Sequence, residues 1–311
     1  MSLIPVVAEV ENVTEAEAGD VYQQGSLASL IFRTFTKNKL AIIGIVIVVA
    51  MVLFSFVGPL FYHTDQVDTN IIESNIPPSA GHILGTDNNG YDILGRLMAG
   101  GQISIEIGLA VAVIATFLGV VWGAISGYFG RAVDAVMMRV VDIFLAIPVV
   151  FLFIFISTIL PTNTTPSEYK FLLIAVLAGL SWLAPARLVR GETLTLRTRE
   201  YVQAVKVMGG NSRRVVFRHI IPNAVGTIIV NATFQVADAI LVLAVLQYLG
   251  FALPPPTPTW GGMLSQGSSF LSDGYWWEVY PALVAIILIV VAFNFIGDAL
   301  RDSFEVRLQE R

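Results

Sequence analysis

The chain has 311 residues, of which 55% are hydrophobic and only 13% are charged. Soluble globular domains carry about 25% charged residues, so this composition excludes an ordinary water-exposed fold and favours an integral membrane protein. The chain contains no cysteine, which excludes disulfides, cysteine-ligated zinc and thiol nucleophiles. The formal net charge of -5 says little about partners, because the charges are sorted along the chain.

The first 26 residues are acidic. They hold carboxylates at Glu9, Glu11, Glu15, Glu17 and Asp20 and no Lys or Arg, the opposite of a secretory or mitochondrial targeting sequence. We expect residues 1–26 to form a disordered cytoplasmic tail.

Long uncharged runs follow the tail. The clearest is 40–62, whose 23 residues would span about 34 Å as a helix, enough to cross a hydrocarbon core of about 30 Å. Six membrane spans are predicted in total, at 40–62, 107–125, 143–160, 171–186, 220–253 and 279–297. The predicted fold class is therefore an all-α integral membrane protein with six transmembrane helices.

The basic residues fix the predicted orientation. With the N-terminus in the cytoplasm, 16 of the 18 Lys and Arg residues lie inside and only Arg96 and Lys170 lie outside, as the positive-inside rule requires. The predicted regions are an N-terminal region 27–62 with the first span, an extracytoplasmic loop 63–100, a five-helix core 101–300 and a cytoplasmic tail 301–311. A second external segment is 254–278, and both termini are predicted to be cytoplasmic.

A polar segment, 191–222, separates the fourth and fifth spans. Residues 200–208 have helical periodicity, with Tyr201, Val202, Ala204, Val205 and Met208 on one side and Gln203 and Lys206 on the other. Gly209 and Gly210 end this helix. Ser212 is predicted to cap a second, basic helix, and Pro222 marks the start of the fifth span. Periodicity alone fits equally well a basic hairpin lying against anionic lipid.

The amino-acid sequence of this hairpin is more specific than its periodicity. Glu200-Tyr-Val-Gln-Ala-Val-Lys-Val-Met-Gly209, followed by Arg218-His-Ile-Ile-Pro-Asn223, resembles the EAA loop of permease subunits of ATP-binding-cassette (ABC) importers, particularly the dipeptide and oligopeptide group. Gln203 replaces the acidic residue of the name-giving triplet, and Val205 replaces its second Ala. The resemblance implies that 200–222 contains a coupling helix that docks on a separate ATPase. The implied coupling residues are Glu200, Tyr201, Val202, Gln203, Ala204, Val205, Met208, Gly209, Arg218 and Pro222.

Further segments carry the same resemblance. They are 82–92 (HILGTDNNGYD), 127–134 (GYFGRAVD), 254–263 with Trp260-Gly261, 297–302 (GDALRD), and the stretch from Phe32 to Gly44, which is similar to the extra leading span of the group's second permease subunit. The resemblance implies a type I ABC importer permease fold in a bacterial cytoplasmic membrane. The implied partners are a homologous second permease subunit, two ABC ATPase subunits or domains, an extracytoplasmic solute-binding protein, the lipid bilayer and a peptide substrate.

The chain has no G-x-x-x-x-G-K-[ST] phosphate loop, so we expect ATP and Mg to bind the partner ATPase and not this chain. We also expect no catalytic residue, no metal site and no nucleic-acid partner.

Polar residues inside the fifth predicted span form a stripe of Asn231, Gln235 and Asp238. The stripe either lines a translocation path or packs between helices, and the sequence does not separate the two. Glu106, at the outer edge of the second span, has a structural or interfacial role or contacts substrate. Arg139 with Asp142, and Asp298 with Arg301, are predicted local ion pairs.

Importers of nickel, glutathione or another small solute share these motifs. An ion-coupled secondary transporter would use Asp238 and Glu106 as ion sites and need no ATPase. A membrane-embedded enzyme would need clustered His and carboxylates, which the sequence lacks.

Overall fold

The structure, a computed structural model, describes residues 27–66, 68–161 and 165–309; the predicted acidic tail 1–26 lies outside them. Within these ranges the chain is helical, apart from turns and one isolated bridge between Thr86 and Asp92. The longer helices are α1 (Leu27–Lys37), α2 (Lys39–Phe56), α3 (Ile93–Phe129), α4 (Arg131–Leu145), α5 (Val149–Ile159), α6 (Pro166–Ser181), α7 (Leu183–Leu196), α8 (Glu200–Val207), α9 (Val225–Tyr248), α10 (Trp260–Ser268) and α11 (Tyr280–Gln309). Shorter turns occupy Gly58–Phe61, Ile71–Glu73, Ser212–Val215, Val216–Ile220, Ile221–Asn223, Leu271–Asp273 and Trp276–Glu278.

Four segments are long and apolar enough to cross a membrane unaided: α2, α3, α9 and Trp276–Glu305, which contains most of α11. Two further pairs are bent, α4 with α5 by 81° and α6 with α7 by 40°. If each bent pair crosses as one span, the described part of the chain reaches the six spans predicted from sequence. The first bend falls at Pro148, the residue that precedes α5, where proline cannot supply a helical N–H.

Two predicted boundaries are wrong. The loop predicted to run to residue 100 ends at Asp92, whose side chain accepts a hydrogen bond from Gly95 N at 2.8 Å and starts α3. The helix of the fifth predicted span, α9, begins at Val225 and not at residue 220. A π-helical turn and a 3₁₀ turn containing Pro222 precede it. Hydropathy missed the first boundary because Arg96 and Glu106 interrupt the apolar run.

Helix α3 is the centre of the fold and packs against α7, α9, α6 and α2, while α11 packs on α9 and α2. A row of glycines, Gly119, Gly123 and Gly127, lets α3 approach α7 closely. A Cβ on Gly119 would lie 2.5 Å from Pro185 Cβ, and one on Gly127 would lie 2.7 Å from Thr193 Cβ. Small residues bring helix backbones together in the same way in other membrane proteins.

Candidate functional site

The polar hairpin between α7 and α9 adopts the predicted helix and turn. Helix α8 starts at Glu200 and ends at Val207, with Met208 as its C-cap. Gly209 follows with a φ of 81°, a left-handed conformation that favours glycine. Asn211, and not Ser212, caps the following turn, since its side chain accepts a hydrogen bond from Arg214 N at 2.8 Å. The prediction of a helix stopped by glycine is thus confirmed, and the capping residue is corrected.

The hairpin has its own small core. Val202, Val215 and Ile220 are fully buried and pack with Leu196 and with Tyr128, which lies at the end of α3. The hairpin is therefore seated on the central helix of the fold.

The predicted apolar side of α8 is only partly buried in the structure. Lys206, predicted on the side opposite the apolar residues, lies with its Nζ 5.0 Å from the centroid of the Tyr128 ring, a cation–π distance. Tyr201, Ala204 and Met208, predicted to share a side with the buried Val202, are exposed. Met208 is 78% exposed and its neighbour Val207 is 89% exposed. We call the exposed residues Tyr201, Ala204, Val207 and Met208 the outer face of α8.

The remaining predicted coupling residues lie around this face or at the end of the hairpin. Gln203 is exposed, and its amide nitrogen donates to Arg197 O at 2.8 Å. Glu200, Arg218 and Pro222 are also exposed, and Val205 is half-buried. The structure thus brings the predicted residues together on one hairpin, with Val202 and Val205 inside it.

Two arginines on and after α7 hold the base of the hairpin. Arg197 Nη1 donates to Gly127 O at 2.9 Å, and Arg190 Nη2 donates to Asp134 Oδ2 at 2.6 Å. Arg190 Nε and Ser126 Oγ donate to the other oxygen of the Asp134 carboxylate. We call Asp134, Arg190 and Arg197 the base clasp. Sequence reasoning missed it, because its members come from segments 56 or more residues apart.

The two predicted local ion pairs are corrected. Asp142 pairs with Arg187 of α7 and not with Arg139, while Arg301 pairs with Glu305 at 3.0 Å and not with Asp298.

The predicted path residues occupy three different environments. Asn231 lines a cavity of about 430 Å³ together with Leu188, Phe234 and Arg301, and its Oδ1 is buried with no hydrogen-bond partner among the described residues. Gln235 is 7% exposed, so it is packed between helices. Asp238 is exposed on the surface of the described chain.

The two basic residues predicted to lie outside both have carboxylate partners. Lys170 Nζ is 2.9 Å from Glu106 Oε2, and Arg96 Nε is 3.5 Å from Asp87 Oδ2. Glu106 therefore has a structural partner within the chain, which favours the structural role over substrate contact.

On the same predicted outer side, residues 82–92 and 260–278 form one layer, which we call the loop layer. Trp277 Nε1 donates to Thr86 O at 3.1 Å and joins the two segments. Asp92 Oδ2 accepts from Tyr62 Oη at 2.8 Å and lies 2.9 Å from His82 Nδ1. Burial and the Asp92 carboxylate raise the pKa of Tyr62 to about 12. Burial likewise raises the pKa of Asp87, although Arg96 opposes the shift.

Comparison with known proteins identifies the class of this architecture. Residues 119–310 match the family described as the binding-protein-dependent transport system inner membrane component. Residues 26–78 match the N-terminal transmembrane domain of oligopeptide transport permease C. The chain belongs to this family of membrane permeases of ABC importers. The assignment confirms the resemblance found in the sequence and replaces the alternative of an ion-coupled secondary transporter.

Relatives cover almost the whole chain. The oligopeptide transport system permease protein OppC of Bacillus subtilis (strain 168) is 39% identical over 276 residues, 89% of this chain and 88% of the relative. OppC of Haemophilus influenzae is 36% identical over 275 residues, 88% of this chain and 86% of the relative. The dipeptide transport system permease protein DppC of Alkalihalophilus pseudofirmus is 36% identical over 278 residues, 89% of each chain.

Proposed function

We propose that the chain moves dipeptides or oligopeptides inward across the bacterial cytoplasmic membrane, with ATP hydrolysed on two ABC ATPase subunits or domains, one of which docks on the outer face of α8. The chain itself contributes no catalytic residue, and ATP and Mg bind the ATPase. A homologous second permease subunit completes the pore, and an extracytoplasmic solute-binding protein delivers the substrate. The names of the relatives support the substrate class.

The observation that carries the docking assignment is the apolar outer face of α8. A polar hairpin that leaves Val207 and Met208 almost fully exposed presents apolar surface to water unless a partner covers it. Gly209 ends the helix immediately afterwards, so this face is presented at the tip of the hairpin.

Motion at the tip is transmitted through the contacts beneath it. The hairpin core rests on Tyr128 of α3. The base clasp joins Arg190 of α7 to Asp134 of α4 and Arg197 to the backbone of α3 at Gly127. The glycine row then holds α3 and α7 together. A displaced α8 therefore moves α3 and α7 as one body, since packed interfaces shift as units and do not deform continuously.

The position of Asp238 favours a pore between two subunits. A carboxylate exposed to lipid inside a membrane helix is costly, and Asp238 is exposed in the single chain. We assign it to the face that meets the second permease subunit or the aqueous path, and we assign the cavity around Asn231 to the cytoplasmic part of that path.

The absence of native cysteine makes a sharp test possible. Met208→Cys places one thiol on the outer face of α8, and Asp273→Cys places one on the exposed turn of the loop layer. In intact cells, a membrane-impermeant maleimide should label the thiol at residue 273 and not the thiol at residue 208. In inside-out vesicles it should label the thiol at residue 208 and not the thiol at residue 273. Adding the ATPase to stripped vesicles should block the label at residue 208. Labelling of Met208→Cys in intact cells would refute the docking assignment.

The substrate class needs a separate measurement. Uptake of a radiolabelled tripeptide should fall when unlabelled dipeptides or oligopeptides compete for the transporter. A nickel chelate or glutathione should leave this uptake unchanged. Competition by either of those solutes instead of by peptides would replace the peptide proposal without affecting the docking assignment.

A further inference from the structure

Three charged side chains meet inside the loop layer. Asp87 from segment 82–92, Arg96 from α3 and Glu278 from the turn before α11 are 2–3% exposed. All three line a cavity of about 10 Å³, whose other walls include Met263 and Gln266 of α10. The layer is tightly packed beside them, since a Cβ on Gly267 would lie 2.8 Å from Glu278 O.

The three charged groups differ in the number of hydrogen-bond and ion-pair partners that they have. Asp87 Oδ1 accepts backbone hydrogen bonds from Asn89 N at 2.8 Å and Tyr91 N at 2.9 Å, and its Oδ2 lies 3.5 Å from Arg96 Nε. Both carboxyl oxygens of Glu278 are buried with no hydrogen-bond partner among the described residues. The same holds for Arg96 Nε and Nη1.

Charge counting then distinguishes the two carboxyl groups. Two ionised carboxylates and one guanidinium would leave an uncompensated negative charge among side chains that are 2–3% exposed, which is strongly unfavourable. Asp87 has fixed N–H donors and the guanidinium, so its negative charge is stabilised. The Arg96 guanidinium also lies 4.3 Å from the Tyr91 ring centroid. On the α10 side the lining residues Met263, Gln266 and Gly267 do not titrate, so Glu278 is the group left to take up a proton.

We propose that this cavity binds one proton and one water: Glu278 is held as the neutral acid, and the water bridges it to Arg96 and Asp87. A volume of about 10 Å³ matches one water, which needs two to four polar partners, and the unpaired atoms supply them. Binding of the proton keeps the cavity neutral and the two segments of the loop layer together. Loss of the proton adds a buried negative charge on Glu278, the residue next to Trp277, whose hydrogen bond to Thr86 O joins the two segments.

The test uses the full chain, purified in detergent within its transporter complex, and measures its thermal unfolding temperature. If the folded chain holds a proton that the unfolded chain releases, stability falls as pH rises above the ordinary glutamate range. Glu278→Gln copies the neutral acid and removes this dependence. We expect the variant to match the native chain near pH 5 and to unfold at least about 2 °C higher near pH 9. Asp273→Asn, on an exposed carboxylate of the same layer, is the matched control and should show no such difference.

A second background makes the outcome decisive. In Asp87→Asn, Arg96 loses its ionised partner, so Glu278 ionises and replaces it. Adding Glu278→Gln in that background should lower the unfolding temperature at neutral pH, the opposite of its effect in the native background. If Glu278→Gln is destabilising in both backgrounds, or its effect does not change with pH, Glu278 binds no proton and the proposal is overturned. The test does not depend on transport.

Discussion

The close contact between α3 and α7 gives a prediction whose size follows from the geometry. In Gly123→Ala the new Cβ would meet the Ala186 carbonyl oxygen and lie 2.8 Å from Arg190 N. Both atoms belong to the backbone of α7, so no side-chain rotation relieves the overlap and the helices must separate. Overpacking of this kind costs about 1–3 kcal/mol, and the higher helix propensity of alanine returns up to about 1 kcal/mol.

We therefore expect a net destabilisation of up to about 2 kcal/mol, or a fall in the unfolding temperature of up to about 4–8 °C. Differential scanning fluorimetry of the purified complex measures this. The matched control is Gly191→Ala on α7, where a Cβ meets nothing within 4 Å and stability should be unchanged or slightly higher. Equal shifts for the two variants would refute the reasoning that backbone contact, and not glycine flexibility, explains Gly123.

Three further predictions concern the hairpin, its base and the outer side. Gly209→Ala should destabilise by about 1–2 kcal/mol through its positive φ alone, since a Cβ there meets nothing within 4 Å; equal unfolding temperatures for variant and native chain would contradict this. Asp134→Asn weakens a charge-assisted contact of the base clasp and should lower the free energy of unfolding by about 1–3 kcal/mol. Uptake should fall while ATPase activity persists, and parallel loss of both activities would show general unfolding instead. Lys170→Met breaks a half-exposed pair with Glu106 and should change stability by less than about 1 kcal/mol, so a large fall in unfolding temperature would show that the pair is structurally essential.

Features that depend on neighbouring residues could be predicted from the sequence. The first span and the glycine stop at Gly209 follow from an uncharged run and from local turn chemistry. The start of α3 could not be predicted, because Arg96 and Glu106 look too polar for a continuous helix until Asp87 and Lys170 are seen beside them.

The side of α8 that packs inward could not be predicted for a related reason. Periodicity defines a stripe of apolar residues but does not say what lies beneath it. Tyr128 accepts the ammonium group of Lys206 and leaves Met208 to face outward, and this contact joins residues 78 positions apart. Packing against other helices likewise places Asn231, Gln235 and Asp238 in three different environments. The spacing of these residues in the sequence does not predict that difference.

Helix α3 runs unbroken for 37 residues, from Ile93 to Phe129, about 55 Å. It carries Arg96 at the end beside the loop layer and Tyr128 at the end under the hairpin. Any free-energy coupling that this rod carries must act equally in both directions. If the ATPase docks on α8 as proposed, an antibody fragment that selects one arrangement of the loop layer would alter the affinity of the chain for the ATPase, and ATPase binding would alter the fragment's affinity by the same factor. A reagent confined to the outside of the cell would then report on ATPase binding at the inner side of the membrane and would also change its strength.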